Sequence, residues 1–253
     1  MNIGLIGAGN MAHALARGWG RPVICFDPIA ERARALVAEL GGEVVAGNAD
    51  VARAADLVVL CHKPAQLHEV AREAKTQAKA VASILAGVSL AQLHADSAYP
   101  DCPVYRFIPS LPVEVRQGAV VQAEGPPQEP ATDRAVGELF AELGTLVLVP
   151  DDLVDVATGL MSCAPAYVAL VAEAQIDAGV RRGLPAAQGA ELVVQTLAGT
   201  AELLRKRGYD TLAIRREVSS PGGITAKGLA ALERGGLRAA FSDALDAVLG
   251  AQQ

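Results

Sequence analysis

The run Gly7-Ala8-Gly9-Asn10-Met11-Ala12 constrains this chain more than any other feature. It follows directly on Ile3–Ile6, a short apolar stretch, and opens a helical pattern over residues 11–19. Strand, tight turn and helix are the context in which G-x-G-x-x-A binds a dinucleotide. The first glycine permits the turn, and the second lets a pyrophosphate approach the backbone. The small Ala12 lets helix and strand pack closely, while the free N–H groups of the helix start meet the phosphate charge. Gly7, Gly9, Asn10 and Met11 are therefore candidate cofactor-binding residues. A structural turn would use the same glycines; the second strand that follows, Val23–Phe26, favours the binding reading.

Asp27 closes that second strand. A carboxylate there accepts hydrogen bonds from adenosine ribose hydroxyls and repels a 2′-phosphate. This tilts the expected cofactor, NAD(P)H, slightly toward NADH, with Arg32 and Arg34 nearby softening the discrimination. The alternative is that Asp27 only N-caps the next helix, with Pro28 at its first position.

Strand-like runs at 43–45, Leu57–Leu60 and 82–85 alternate with helical patterns over Ala30–Leu40 and 65–79. The strands are short and apolar on both faces, which predicts βαβ units and a buried parallel sheet. Runs at 104–108, 120–122 and 146–149, around a helix at 132–143, extend it. After Pro150 strand signals stop, and Ala/Leu/Val-rich helical stretches follow at 164–182, 186–207, 212–218, 225–234 and 237–249. The expected fold is α/β: a Rossmann-type dinucleotide-binding domain over residues 1–151, then an all-α dimerisation and substrate domain over 152–253. The second part is too apolar all round to stand alone, so its excess predicts a self-associating surface.

Charge and composition exclude several functions. With 22 Lys and Arg against 28 Asp and Glu, the net charge of −6 argues against a nucleic-acid partner. A 4% aromatic share leaves few platforms for stacking bases. No uninterrupted apolar run reaches the ~20 residues of a membrane helix, and Glu173 and Asp177 interrupt the most apolar segment. The first residues carry no basic leader, and the four cysteines form no C-x-x-C pair, so a cytoplasmic setting with reduced thiols is expected. His13, His68 and His94 show no metal-ligand spacing, and no metal is expected.

Two further segments carry polar chemistry. Cys61-His62-Lys63-Pro64 sits at the carboxyl end of the fourth strand, where open α/β sheets bind ligands. Ser219-Ser220-Pro221-Gly222-Gly223-Ile224-Thr225 joins two helices with hydroxyls and free backbone N–H groups suited to a small carboxylate. An ordinary capped loop would have the same composition.

With these stretches in place, the sequence resembles the pyrroline-5-carboxylate reductase family over essentially its whole length. The resemblance rests on Gly7–Ala12, Cys61–Pro64, Ala86-Gly87-Val88, Arg106–Pro112, Pro165-Ala166-Tyr167, Asp177–Val180 with Gly183-Leu184-Pro185, Gln195-Thr196, Ser220–Gly223 with Thr225, and Leu232-Glu233 with Gly235-Gly236. It implies reduction of (S)-1-pyrroline-5-carboxylate to L-proline by NAD(P)H, a homodimer through the helical domain, and a larger ring of dimers. Carried over by position, Asn48, Lys63 and Pro64 line the cofactor cleft. Ser220, Gly222, Gly223 and Thr225 hold the substrate, with Thr225 as catalytic hydrogen-bond partner of the ring nitrogen.

Two departures fall near the expected cofactor–substrate contact. Pro109-Ser110-Leu111-Pro112 stands where the family has Pro-Asn-Thr-Pro, and Met161-Ser162-Cys163-Ala164 stands where it has Ser-Gly-Ser-Gly. They keep two alternatives open: a paralogue reducing another small cyclic imino acid, and an NAD(P)-binding sensor or scaffold dimer with weakened catalysis. A β-hydroxyacid dehydrogenase is disfavoured, because neither Lys206 nor Lys227 has an asparagine four residues on.

Overall fold

The computed structural model describes residues 1–74, 77–95, 99 and 102–250. It divides into two compact units, Met1–Pro165 and the residues from Ala166 onward.

The first unit is built on β1 (Ile3–Ile6), α1 (Asn10–Trp19), β2 (Val23–Phe26), α2 (Ala30–Leu40), β3 (Gly42–Val44), α3 (Asn48–Ala54), β4 (Leu57–Leu60), α4 (Leu67–Ala74), β5 (Val81–Ser83) and α5 (Leu90–Ala95). It continues with β6 (Val104–Pro109), β7 (Gly118–Glu124), α6 (Pro130–Ala141), β8 (Gly144–Pro150) and α7 (Val154–Met161). The strands form one sheet in the order β3-β2-β1-β4-β5-β6-β7-β8. Strands β1 to β6 run parallel, β7 is antiparallel to β6, and β8 is parallel to β7. Every residue of β1 and β4 is buried, as strands covered on both faces require.

Two apolar cores flank the sheet. On one face the only tryptophan, Trp19 of α1, meets Phe140 edge-on at 5.6 Å, and Phe140 stacks on Phe107 at 3.8 Å. The Trp19 indole N–H donates to the Leu139 carbonyl at 2.9 Å, so its polar atom is satisfied in the interior.

The structure adjusts the sequence expectations at several places. The expected helix at 65–79 is a 3-10 turn, Pro64–Gln66, followed by α4, and residues 75 and 76 lie outside the described residues. Helices α3, α5 and α7 gave no long apolar period, because each has fewer than nine residues. The N-cap of α2 is Ile29, so Asp27 and Pro28 lie outside that helix. The expected domain boundary near residue 151 and the division after Pro165 differ by α7. That helix buries Val154 and Thr158 among the residues of the first unit.

The second unit contains most of α8 (Ala164–Val180), then α9 (Ala186–Lys206), α10 (Thr211–Glu217), α11 (Ile224–Arg234) and α12 (Leu237–Gly250). Gly189 is the only buried residue in these five helices. Leu170, Leu192, Val194 and Leu232 are more than half exposed. An apolar groove of about 200 Å³ runs between Leu170 and Val171 of α8 and Ala240, Phe241 and Ala244 of α12. One stretch, Asp151–Val180, is long and apolar enough to cross a membrane by length and composition alone, with charged residues allowed in it. Its five carboxylates stand at the two ends, Asp151, Asp152 and Asp155 before and Glu173 and Asp177 after an uncharged window over 156–172.

Candidate active site

The strand order reverses between β1 and β4, and the carboxyl ends of these two neighbours form the switch point of the sheet. Gly7 leaves β1 there with φ +97°, a conformation open to glycine. A Cβ on Gly7 would lie 2.8 Å from the Cys61 carbonyl and 2.9 Å from the His62 nitrogen, so this position also admits no side chain. Gly9 is different: a Cβ there would meet nothing within 4 Å and would fill open space beside the loop. Gly9 is also the N-cap of α1, with no side chain closing the helix start. Free amides facing a cradle are what an anion requires.

That cradle is a cleft of about 680 Å³. Ala8, Gly9 and Asn10 form one wall, Glu31 and Arg32 of α2 another, and Leu111 and Glu114 of the turn after β6 a third. His13 and Arg17 of α1 line it as well. Arg17 braces the walls: it donates to both oxygens of Glu39 at 2.6 and 2.9 Å and to Glu114 at 2.8 Å. The guanidinium holds the Glu39 carboxyl below the usual carboxylate range. Sequence spacing gave no hint of Arg17, whose partners are 22 and 97 residues away.

Of the expected cofactor residues, Gly9 and Asn10 line this cleft. Gly7 is tied beside it through its N–H to the Phe26 carbonyl at 2.8 Å, and Asp27 through the Ala8 N–H, also at 2.8 Å. Met11 follows Asn10 on α1 and packs against the core. Asn48 opens α3; its Nδ2 donates to Glu73 at 2.8 Å, and its Oδ1 is buried with no partner among the described residues. Lys63 and Pro64 are exposed after β4.

His62 is a half-buried titratable group whose backbone nitrogen lies against Gly7 of the loop. Its Nδ1 lies 2.9 Å from the Lys63 carbonyl, so Nδ1 carries the proton and Nε2 is bare, buried and without a partner among the described residues. Burial holds the imidazole below its usual pKa. Burial also raises the Cys61 thiol, and pushes the Cys25 thiol up to about 11, so neither is a thiolate near neutrality. None of the four cysteines, all among the described residues, forms a disulfide.

The turn after β6 clarifies the first family departure. Ser110 is 3% exposed, and its hydroxyl both donates to the Ala119 carbonyl at 3.1 Å and accepts from the Ala119 N–H at 2.9 Å. It therefore pins β7 and offers nothing to a ligand, whereas Leu111, half exposed, faces the cleft. A residue that spacing alone missed sits within β6. Arg106 is 2% exposed and pairs with Asp151 at 2.7 Å and Asp155 at 2.8 Å, joining β6 to the start of α7. Ser162, after α7, donates back to the Pro109 carbonyl at 3.4 Å.

In the second unit, the expected substrate residues share one loop and one helix start. Gly222 has φ +70°, and the Gly223 N–H donates to the Ser220 carbonyl at 3.0 Å. A Cβ on Gly223 would press on the Ser220 hydroxyl, which would have to turn aside. Gly223 N-caps α11 without a side-chain bond, and Thr225 is half-buried in its first turn. Ser219, the first hydroxyl of this segment, has a buried Oγ with no partner among the described residues.

The family model for pyrroline-5-carboxylate reductase dimerisation matches residues 151–253, and that for coenzyme F420-dependent NADP oxidoreductases matches residues 2–87. The chain is 35% identical to the pyrroline-5-carboxylate reductase of Synechocystis sp., over 98% of this chain and 95% of the relative. It is 33% identical to pyrroline-5-carboxylate reductase 3 of Macaca fascicularis, over 97% and 92% respectively. Among solved structures, the Plasmodium falciparum pyrroline carboxylate reductase with NADP bound superposes with a TM-score of 0.89 at 26% identity. It covers 100% of this chain and 97% of that one. The Streptococcus pyogenes 1-pyrroline-5-carboxylate reductase gives 0.90 at 28%, covering 100% and 98%.

Proposed function

Because the chain belongs to the pyrroline-5-carboxylate reductase family, we propose that it reduces (S)-1-pyrroline-5-carboxylate to L-proline as an NAD(P)H-dependent homodimer. The observation that carries this reading is kinship over nearly the full length of both chains, together with a glycine loop at the switch point of the sheet. When bound, the reduced nicotinamide supplies a hydride. The free amides of Gly9, Asn10 and Met11 suit its pyrophosphate, and Asn48, Lys63 and Pro64 complete the cofactor residues. Asp27 opposes a 2′-phosphate and gives NADH a slight advantage, which Arg32 at the cleft reduces.

A cyclic imine in its protonated form is already electrophilic at carbon, so the protein chiefly orients it and excludes water. The amides around Gly222 and Gly223, with Ser220, neutralise the carboxylate. Thr225 bonds the ring nitrogen and keeps it in register for attack. No strong general acid is needed, which suits a site whose candidate residues are hydroxyls and backbone. The exposed apolar faces of α8 to α12 go to a second copy rather than to lipid, and dimers can build a higher ring. A reducing cytoplasm suits four cysteines outside any disulfide.

The test is consumption of NADH and of NADPH with five- and six-membered cyclic imino acids, with a β-hydroxy acid as control. Turnover on the five-membered ring, faster than on the six-membered one, is expected. Preference for the larger ring would establish the paralogue, and cofactor binding without turnover the sensor. Thr225→Ala should lower kcat for imine reduction by about 10²-fold with cofactor affinity unchanged; an unaltered kcat would remove Thr225 from the mechanism.

A further inference from the structure

Asp27 is 8% exposed, and each oxygen of its carboxylate accepts a different backbone N–H: Oδ2 from Ala8 and Oδ1 from Ile29, both at 2.8 Å. Ala8 is the residue between the two loop glycines, and Ile29 is the N-cap of α2. One side chain thus fastens the turn after β1 to the turn after β2. We propose that Asp27 is a positioning residue that holds the glycine loop in its anion-binding shape for either dinucleotide, beyond any contact with ribose. The proposal rests on the cofactor reading above and deepens it.

The loop has little else to define it. No side chain caps the start of α1, and nothing surrounds the outer side of Gly9. Two cross-links remain, the Gly7 N–H to Phe26 and the Ala8 N–H to Asp27, and both come from the end of β2. Gly7 itself is in a region of backbone space that relaxes easily unless its neighbours are held.

The chemistry needs a carboxylate in particular. It offers acceptors at both ends, so it can take two N–H groups that approach from different turns. An asparagine amide offers one acceptor and would turn its own NH₂ toward the second N–H. With the Ala8 N–H directed at Asp27, the anion-facing donors of the loop are narrowed to Gly9 and the first residues of α1. A residue acting only as a ribose ligand and a 2′-phosphate repellent has a different signature: its loss penalises NADH and favours NADPH.

The experiment uses the full chain with Asp27→Asn and Asp27→Glu. Kd for NADH and for NADPH is read from nicotinamide fluorescence, and kcat is measured at saturating cofactor. In Asp27→Asn the Kd for NADH should rise about tenfold and that for NADPH by a smaller factor, because the 2′-phosphate is no longer repelled, while kcat stays within about twofold, a split that follows from weaker binding alone. Asp27→Glu keeps the charge but shifts both acceptors by one methylene, so it too should weaken both cofactors. Amide exchange at Ala8 should speed up in each variant, which reports the broken bond independently of activity. If NADH affinity falls while NADPH affinity holds or improves, or if Ala8 exchange is unchanged, the loop-holding role is wrong. Failure of the unaltered chain to bind either dinucleotide would instead defeat the cofactor reading itself.

Discussion

At the scale of single residues, the site is defined as much by atoms that lack space or partners as by those that bond. Gly7→Ala should abolish cofactor binding, because a β-carbon would press on the backbone of Cys61 and His62 at 2.8–2.9 Å while φ stays at +97°. Gly9→Ala leaves the fold intact, since its β-carbon meets nothing, yet places a methyl in the cleft; cofactor Kd should rise with Tm unchanged. His62 makes a prediction about pH. Burial favours its neutral form, so the folded pKa lies below the ordinary 6.5. As the pH falls through 6.5 the unfolded chain takes up the proton first, and stability present above that value is lost. Between about pH 7.5 and pH 5.5, His62→Val should therefore lose less Tm than the parent chain, by about 2 °C. Equal losses would show that His62 takes up its proton at the same pH folded as unfolded, so that burial does not disfavour its charged form. The two glycines were legible in sequence because each function has a residue type and a spacing. Arg17 and the double role of Asp27 were not, because their partners are set by how α1, α2 and the turn after β6 come together.

Among the elements, β1, β2, β4, α1 and α2 could be read with their limits nearly right, since each is continuous in apolar period and bounded by glycine, proline or aspartate. The short helices α3, α5 and α7 could not, because six to eight residues hold too few turns to show a period. Helix α7 shows what such an element contributes. It is joined to β6 by Arg106, whose guanidinium is almost fully buried between Asp151 and Asp155. Arg106→Met removes the charge that both carboxylates face and should cost about 2–4 kcal/mol, somewhat under the ~3–5 kcal/mol for breaking a fully buried pair, because the two aspartates keep some access to water. Denaturant unfolding would measure it. The substitution Asp155→Asn, which leaves the Asp151 contact in place, should cost less than half as much.

Over the whole molecule, the two units differ in how they meet the need for a core. The sheet unit buries its own apolar residues on both faces, whereas α8 to α12 bury one glycine and leave Leu170, Leu192 and Ile224 in water. Stability of the helical unit must then come from association, and the Tm should rise with protein concentration. Leu170→Glu should lower the Tm and shift the mass in solution from dimer toward monomer; a concentration-independent Tm in the parent chain would refute the argument. The sequence revealed this imbalance as a surplus of apolar residues but not the groove between α8 and α12, which needs the packing angle of two helices distant in the chain. One consequence follows from the single indole, enclosed with Phe140 and Phe107 beside the sheet. Its emission is a natural optical reporter of the amino-terminal half alone, whereas the ellipticity sums the helices of both halves. Melting curves recorded by the two spectroscopies would therefore separate wherever the halves come apart at different temperatures, without a dye or a label.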